Sequence, residues 1–507
     1  MKITITLLLS TILFFSCTKT KKTNYSEFNK AYTNFIELVT NEYGAKYGMA
    51  ISVVKDDRII FEKYLGMADV DKNIKVSKNT LFYIASVTKS FTAMAALILE
   101  SKGKLDFDKS LAELLPEINF APELKADSIK IEHLITHTSG IENNPLRNIK
   151  AYSGSYDKNK LQTIVEKFTV VNKDAPFGKF EYTNTGYIIL GMIIEKELGA
   201  DWKSLVQQEV LHPLKMKHTT TRMSKAIEQG FEIAKPHTQN NDENKLVRLF
   251  LEKKDNTMHA AGGMLSTAED MARYMIVALN NGKIDGKQVI DSNLVKNSQL
   301  KHAKQNRMWY DLKRFGYGYG WNIATTPLGD TLVHHFGSFT GMHPQFSFVR
   351  ETGVGVVIMA NEGKISYDLN MLLSGYVFDY FSKRENLDTH YKEKLKEYHE
   401  NYIKKRKSDT EYMIKMAKRP WKLELPFSLY AGTYTSDLFG TLVVKEVGEN
   451  KLIVTIGNLK SDIATPHRTN AIRVVMGEDG SVVQFGINNG KVEKAIWKGL
   501  IFTKMIH

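Results

Sequence analysis

Cysteine is almost absent: the 507 residues contain one, Cys17. A single thiol cannot build an intrachain disulfide framework, so the fold has to rest on a hydrophobic core. Beyond the N-terminus no stretch approaches the roughly 20 consecutive apolar residues that a membrane span requires. Long heptads, internal repeats and low-complexity tracts are missing, which excludes coiled-coil, collagen-like and largely disordered chains. The net charge is +13, an excess that favours anionic surfaces without choosing among them. No zinc knuckle, RNP-type motif or long basic arm accompanies it, so nucleic acid is not an expected partner. Gly262-Gly263 lacks the Lys-Ser/Thr of a phosphate loop. His133 and His137 stand four apart, but Leu134 occupies the place of the glutamate in H-E-x-x-H, and Thr138-Ser139-Gly140 ends any helix there. Neither a metal nor a cofactor is expected.

What is present is ordinary for a soluble globular chain of more than one domain, with 43% hydrophobic and 25% charged residues. Lys2 precedes an apolar run from Ile3 to Phe15, then Ser16-Cys17. This is the charged start and apolar centre of a secretory signal, too short for a usual transmembrane helix. A cysteine after a small residue at that point resembles a bacterial lipoprotein signal. The resemblance implies cleavage after residue 16, lipidation of Cys17 and a location on the cell envelope, anchored to a bacterial membrane and facing the periplasm. A plain signal peptide with an incidental cysteine is the competing reading, and both export the protein. Residues 18–23 (TKTKKT) read as a tether beside an anionic lipid surface.

Along the mature chain, Phe28, Tyr32, Phe35, Ile36 and Val39 have helical spacing. Residues 49–69 read as two strands joined at Lys55-Asp56-Asp57-Arg58. Residues 90–102 and 184–198 are strongly apolar helices, stopped by Gly103 and Gly199. Residues 266–281 begin with an N-cap, Ser266 or Thr267, and an acidic first turn. Strand-like runs follow a Gly-aromatic alternation (316–321), at 331–336 and 345–361. Residues 391–424 hold eleven Lys or Arg against six Asp or Glu and read as a polar, solvated connecting helix rather than a membrane-binding one. From 426 the chain alternates apolar and polar residues between turns, the pattern of a small all-β domain of six to eight short strands.

Three segments can carry chemistry. Ser86-Val87-Thr88-Lys89 is an S-x-x-K sequence. The same spacing recurs at Ser52–Lys55, Ser101–Lys104, Ser155–Lys158 and Ser298–Lys301. Only Ser86 lies between a strand-like run, Leu81 to Ala85, and a buried helix. There the helix start offers unpaired N–H groups to an oxyanion, and Lys89 shares a helical face with the Ser86 hydroxyl. Burial would lower the Lys89 pKa and let it accept the serine proton. The bland alternative is Ser86 as an N-cap and Lys89 as a surface residue. Tyr182-Thr183-Asn184 sits at a helix entrance, where a phenol beside a cation can be held partly ionised and Asn184 can hydrogen-bond a substrate amide. His335-Phe336-Gly337-Ser338, at a strand end, combines an imidazole, a glycine for close backbone approach and an N–H at Ser338. Its bland alternative is a strand histidine.

In this order the segments resemble the serine β-lactamase and penicillin-binding protein superfamily, in its class C β-lactamase-related branch. FYIASVTKSFTA (82–93), HLITHTSGI (133–141), FEYTNTGYIILG (180–191), AAGGMLSTAEDMARY (260–274) and HHFGSFTGM (334–342) carry the resemblance across residues 27–380. YAGTY (430–434) resembles the start of a lipocalin-like β domain appended to that branch. The implied fold is α+β: an antiparallel sheet flanked by helices with a helical subdomain, followed by a small all-β barrel-like domain. The expected organisation is a signal peptide (1–16), a lipidated tether (17–26), a hydrolase domain (27–385), a basic helical linker (386–425) and a β domain (426–507).

The resemblance implies that Ser86 attacks a carbonyl, Lys89 and Tyr182 move its proton, the N–H groups of Ser86 and Ser338 hold the oxyanion, and Asn184 orients the substrate. The branch usually has Lys-Thr-Gly where His335-Phe336-Gly337 stands here. The fixed cation becomes a titratable imidazole, which weakens the case for β-lactam or D-Ala-D-Ala recognition, and the apolar wall favours a less charged acyl group. The expected function is an exported serine hydrolase acting on an ester or amide of a small molecule or peptide. The alternatives are a DD-peptidase or β-lactamase, and a catalytically silent envelope binding protein.

Overall fold

The computed structural model describes residues 24–239, 245–477 and 479–505. The signal segment, Cys17 and the 18–23 stretch lie outside the described residues. The expected amphipathic helix is α1 (Ser26–Glu42), which buries Phe28, Tyr32, Phe35, Ile36 and Val39. The expected hairpin is β1 (Met49–Lys55) and β2 (Arg58–Leu65). Its turn is tight because Asp56 takes a left-handed φ of 58°, a conformation a short acidic side chain tolerates. Two apolar helices follow, α2 (Thr88–Ser101) and α3 (Thr185–Leu198). Gly199 ends α3 at φ 62°, as a left-handed C-terminal cap requires. In α4 (Ala268–Leu279) the Thr267 side chain accepts from the Asp270 N–H, so Thr267 is the N-cap.

The remaining strands of the main sheet are β3 (Ala303–Trp309), β4 (Leu312–Tyr317), β5 (Asn322–Thr325), β6 (Thr331–Phe336), β7 (Gln345–Val349) and β8 (Val354–Ala360). The apolar run at 345–361 is therefore two strands, not one, broken where Gly353 adopts φ 61°. The described residues form an eight-stranded antiparallel sheet in the order β3-β4-β5-β6-β7-β8-β1-β2. The N-terminal hairpin pairs with the last strand of the set, Ile51 opposite Ile358. Because the hairpin docks on β8, which pairs with β7 and so with β6, the strand that leads into Ser338 is held in the register of the whole sheet. On one face lie α1 and α5 (Ser366–Phe381), with Phe35 stacked on Tyr376 at 4.4 Å. On the other face α4 packs against β1 and β8, and α2 and α3 lie beyond it. Helix α2 is buried from Thr88 to Leu99, which places Lys89 inside the core.

Helix α6 (Leu387–Ala417) realises the basic segment and buries only Tyr391, Leu395 and Met416. After it comes an antiparallel sheet of nine strands, more than the six to eight expected. The extra strands are two-residue ones, Leu459–Lys460 and Thr465–Pro466, at its edges. A bridge between Ser461 and Met476 and an Asp462 N–H to Val475 oxygen bond of 2.9 Å join those edges. The sheet thus curls into a barrel-like body. Its core is continuous with that of the helical side: Tyr434, Trp497 and Phe502 belong to the same buried cluster as Leu97 and Ile189. Among the described residues no helix is long and apolar enough to cross a membrane.

Candidate active site

Three elements converge on a cleft of about 250 Å³ that contains Ser86, Tyr182, His335, Gly337 and Ser338. Ser86 sits in a single helical turn (Ala85–Val87) just before α2. Ala85 holds φ 45°, a strained value for a residue with a side chain, and this turns the chain so that Ser86 is partly exposed while its neighbours are buried. Gly337 lets β6 approach that turn: a Cβ there would stand 2.6 Å from the Ile84 carbonyl and 2.5 Å from Pro344 Cγ. Gly320, at φ 82°, does the same for the β4–β5 connection, since its Cβ would fall 2.6 Å from the Ser90 Cα. Among the described residues the Ser86 and Ser338 N–H groups donate to no carbonyl, whereas those of Gly337 and Phe339 beside Ser338 do. Both N–H groups therefore remain for an oxyanion.

Lys89 is completely buried. Its Nζ lies 2.7 Å from Asn184 Oδ1, 2.7 Å from the Ala261 carbonyl and 3.2 Å from Ser86 Oγ. Burial without a carboxylate drives its pKa well below the ordinary ammonium value. In its neutral form, which burial favours, the amine has two hydrogens and one lone pair. The two oxygens take the hydrogens, and the lone pair is left for the Ser86 hydroxyl. The reactive segment is thus set by a loop 172 residues away, at Ala261.

Tyr182 lines the cleft with Ser86, and its ring lies 4.9 Å from Lys89 Nζ. Burial raises its pKa above the ordinary phenol value, against smaller lowering effects of Ser86 and Arg314. The partly ionised phenol expected from the sequence is therefore not the resting form, because desolvation outweighs the nearby positive charge. The oxygen of Asn184 accepts from Lys89, so this side chain also positions the base.

The imidazole of His335 is buried and neutral, not a titrating cation. Burial above all pulls its pKa down to about 3. Its tautomer follows from its partners. The Phe336 carbonyl, 3.0 Å from Nδ1, only accepts, so Nδ1 carries the proton. Nε2 then accepts from the Tyr317 hydroxyl at 3.3 Å. The same hydroxyl is 3.1 Å from Nε2 of His137, whose Nδ1 accepts from the Thr183 N–H. His137, which carries no chemistry in the sequence reading, thus forms the wall behind Tyr182, with ring centroids 4.5 Å apart. A second neutral histidine, His343, has its pKa lowered to about 3 by burial and shares the Ser338 hydroxyl with Tyr367.

The cation of the cleft comes from Arg314 on β4, which no motif announced. Its guanidinium lies 4.9 Å from the Trp309 ring and 5.6 Å from the Phe336 ring. Nε donates to His334 Nε2 at 3.3 Å. Among the described residues its two Nη groups have no acceptor and no carboxylate. Burial lowers its pKa to about 10, so it stays charged at neutral pH. A fixed positive charge thus reaches the cleft from a neighbouring strand, beside the third motif from which the lysine is missing. Arg307 also lines the cleft but is paired with Glu181.

The barrel-like body braces the loop that carries Ser338. Tyr152 stacks on Phe339 at 5.6 Å, and its carbonyl accepts from the Asn458 N–H at 2.9 Å. A Cβ on Gly477 would stand 2.4 Å from the Thr340 methyl.

The family model described as Beta-lactamase matches residues 36–369. "Protein flp" of Staphylococcus aureus (strain MW2) is 31% identical over 192 residues, 37% of this chain and 38% of the relative. The match therefore spans little more than a third of that curated relative. A penicillin-binding protein homologue from Pyrococcus abyssi superposes with a TM-score of 0.58 at 21% identity, covering 94% of this chain and 99% of that one. The D-amino acid amidase of Ochrobactrum anthropi SV3 gives 0.52 at 21% identity, covering 66% and 92%. The chain belongs to the Beta-lactamase family.

Proposed function

We propose that this member of the Beta-lactamase family is an acyl-serine hydrolase, cleaving an ester or amide whose acyl or leaving portion carries an anionic group held by Arg314. The observation that carries the reading is Lys89: a buried amine with two oxygen acceptors for its hydrogens and its third direction toward Ser86 Oγ, 3.2 Å away. In acylation Ser86 Oγ attacks the carbonyl carbon and its proton passes to the Lys89 lone pair. The carbonyl oxygen takes the negative charge beside the N–H groups of Ser86 and Ser338. Tyr182, protonated at rest and lining the cleft beside Ser86, hands a proton to the leaving oxygen or nitrogen and is reprotonated from Lys89. Water then attacks the acyl-enzyme, with Lys89 taking its proton, and returns Ser86 as the alcohol with release of the acid.

The purified protein is to be offered 4-nitrophenyl butyrate, a 4-nitroanilide and a chromogenic cephalosporin, beside the Ser86→Ala variant. Ester or anilide turnover that disappears in the variant supports the hydrolase reading. Cephalosporin turnover alone moves the assignment to a β-lactamase. A folded wild type that turns over none of the three is the result expected of a silent binding protein. Export and anchoring belong to the same proposal and rest on the Lys2-to-Cys17 pattern. Metabolic incorporation of an alkyne fatty acid that is lost in Cys17→Ser tests them.

A further inference from the structure

A second cavity, of about 470 Å³, lies on the helical side of the molecule and shares no lining residue with the catalytic cleft. Its apolar wall includes Leu115, Leu161 and Met192. Lys150 and Lys203 also line it, and they are only 7% and 9% exposed. Among the described residues neither ammonium group has a hydrogen-bond acceptor or an ion-pair partner. Lys150 Nζ lies 4.3 Å over the Tyr156 ring, and Lys203 Nζ 5.6 Å from the Trp202 ring.

The acids in the wall are engaged elsewhere. Glu117 pairs with Lys196 at 2.9 Å. Asp157 caps a helix by accepting from the Lys160 N–H at 2.8 Å, and Asp255 accepts from the Ser224 N–H at 2.9 Å. Glu195 is left to face two ammonium groups, outside ion-pair distance of both. Burial, with the charge of Lys150, also lowers the pKa of Lys203. Two buried like charges whose facing carboxylate, Glu195, makes no ion pair with either are costly, and a bound anion lowers that cost. The volume is that of a small-molecule site, and an apolar wall with a few convergent polar groups is how such sites are built.

We propose that this cavity binds a small amphiphilic anion, a carboxylate whose head sits between Lys150 and Lys203 and whose apolar body lies against Leu115, Leu161 and Met192. The site is independent of the chemistry assigned to Ser86. The test is calorimetric titration of the full-length protein with octanoate and, as the neutral isostere, octanamide. Octanoate is expected to bind one to one and at least tenfold more tightly than octanamide. The Lys150→Met/Lys203→Met double variant is expected to lose at least tenfold in octanoate affinity. Leu161→Trp, which keeps both lysines and fills the apolar end, is expected to weaken octanoate as well. Equal affinities for the acid and the amide, no binding of either, or undiminished octanoate binding in both variants overturns the proposal.

Discussion

Replacing Arg314 by Met removes the cation of the cleft and leaves its flat packing surface nearly intact. The guanidinium is held between Trp309 and Phe336 with one N–H spent on His334. Its Nη groups are placed to meet a carboxylate in a two-pronged contact. A hydrogen bond to a charged group contributes about 1.5–3 kcal/mol, which is roughly 10- to 150-fold in rate at 1.36 kcal/mol per decade. Arg314 also acts on Tyr182 through space, and that effect weighs on every substrate alike. The informative quantity is therefore a ratio. The kcat/KM for 4-nitrophenyl hydrogen glutarate, an anionic half-ester, is divided by that for the neutral 4-nitrophenyl butyrate. The wild type should favour the anionic ester, and Arg314→Met should reduce the ratio by roughly 10- to 150-fold. A wild type without that preference, or a variant that lowers both esters equally, refutes the assignment of Arg314 to substrate.

Other outcomes follow from the same geometry. Lys89→Met should lower kcat by roughly 10²- to 10⁴-fold, the usual worth of a positioned base, and the wild-type rate should fall as pH drops through the depressed pKa of Lys89, because only the neutral amine accepts a proton; a flat acid limb contradicts this. Lys253 is buried, and that burial lowers its pKa from 10.5 to about 7. The unfolded chain thus holds a proton across that window that the folded chain releases, and wild-type stability should gain about 1.4 kcal/mol per pH unit relative to Lys253→Met. Denaturant titrations at pH 7.5 and 9 check it, and parallel pH dependences would refute it. Gly337→Ala drives a methyl into the Ile84 carbonyl and Pro344; it should cost about 1–3 kcal/mol of stability and abolish ester turnover, whereas an active, equally stable variant contradicts the close approach.

The local pieces were legible where the pattern is short-range. The 3.6-residue spacing from Phe28 to Val39, the hairpin around Asp56-Asp57 and the Thr267 cap are all written within a few positions, and each stands where it was expected. Ser86 was separable from the other S-x-x-K sequences because only it joins a strand-like run to a buried helix. Contacts made across the fold were not legible. Ala261 reaches Lys89 over 172 residues, and Tyr317 meets His137 over 180. Arg314 reaches the cleft from the neighbouring strand pair, where a lone arginine in an alternating strand has no distinguishing spacing. The roles of Tyr182 and His335 depended on burial, which residue type alone does not report. The two edge strands of the C-terminal sheet are two residues each, below the length at which alternation is visible.

The central claim is that Ser86 is the nucleophile, activated by a neutral Lys89. Its most direct test is intact-protein mass spectrometry after incubation with a fluorophosphonate, with peptide mapping of the adduct. The account predicts one phosphonyl group per chain, on Ser86, absent in Ser86→Ala and formed much more slowly in Lys89→Met. A folded wild type that takes up no label, or an adduct on another residue that persists in Ser86→Ala, contradicts it.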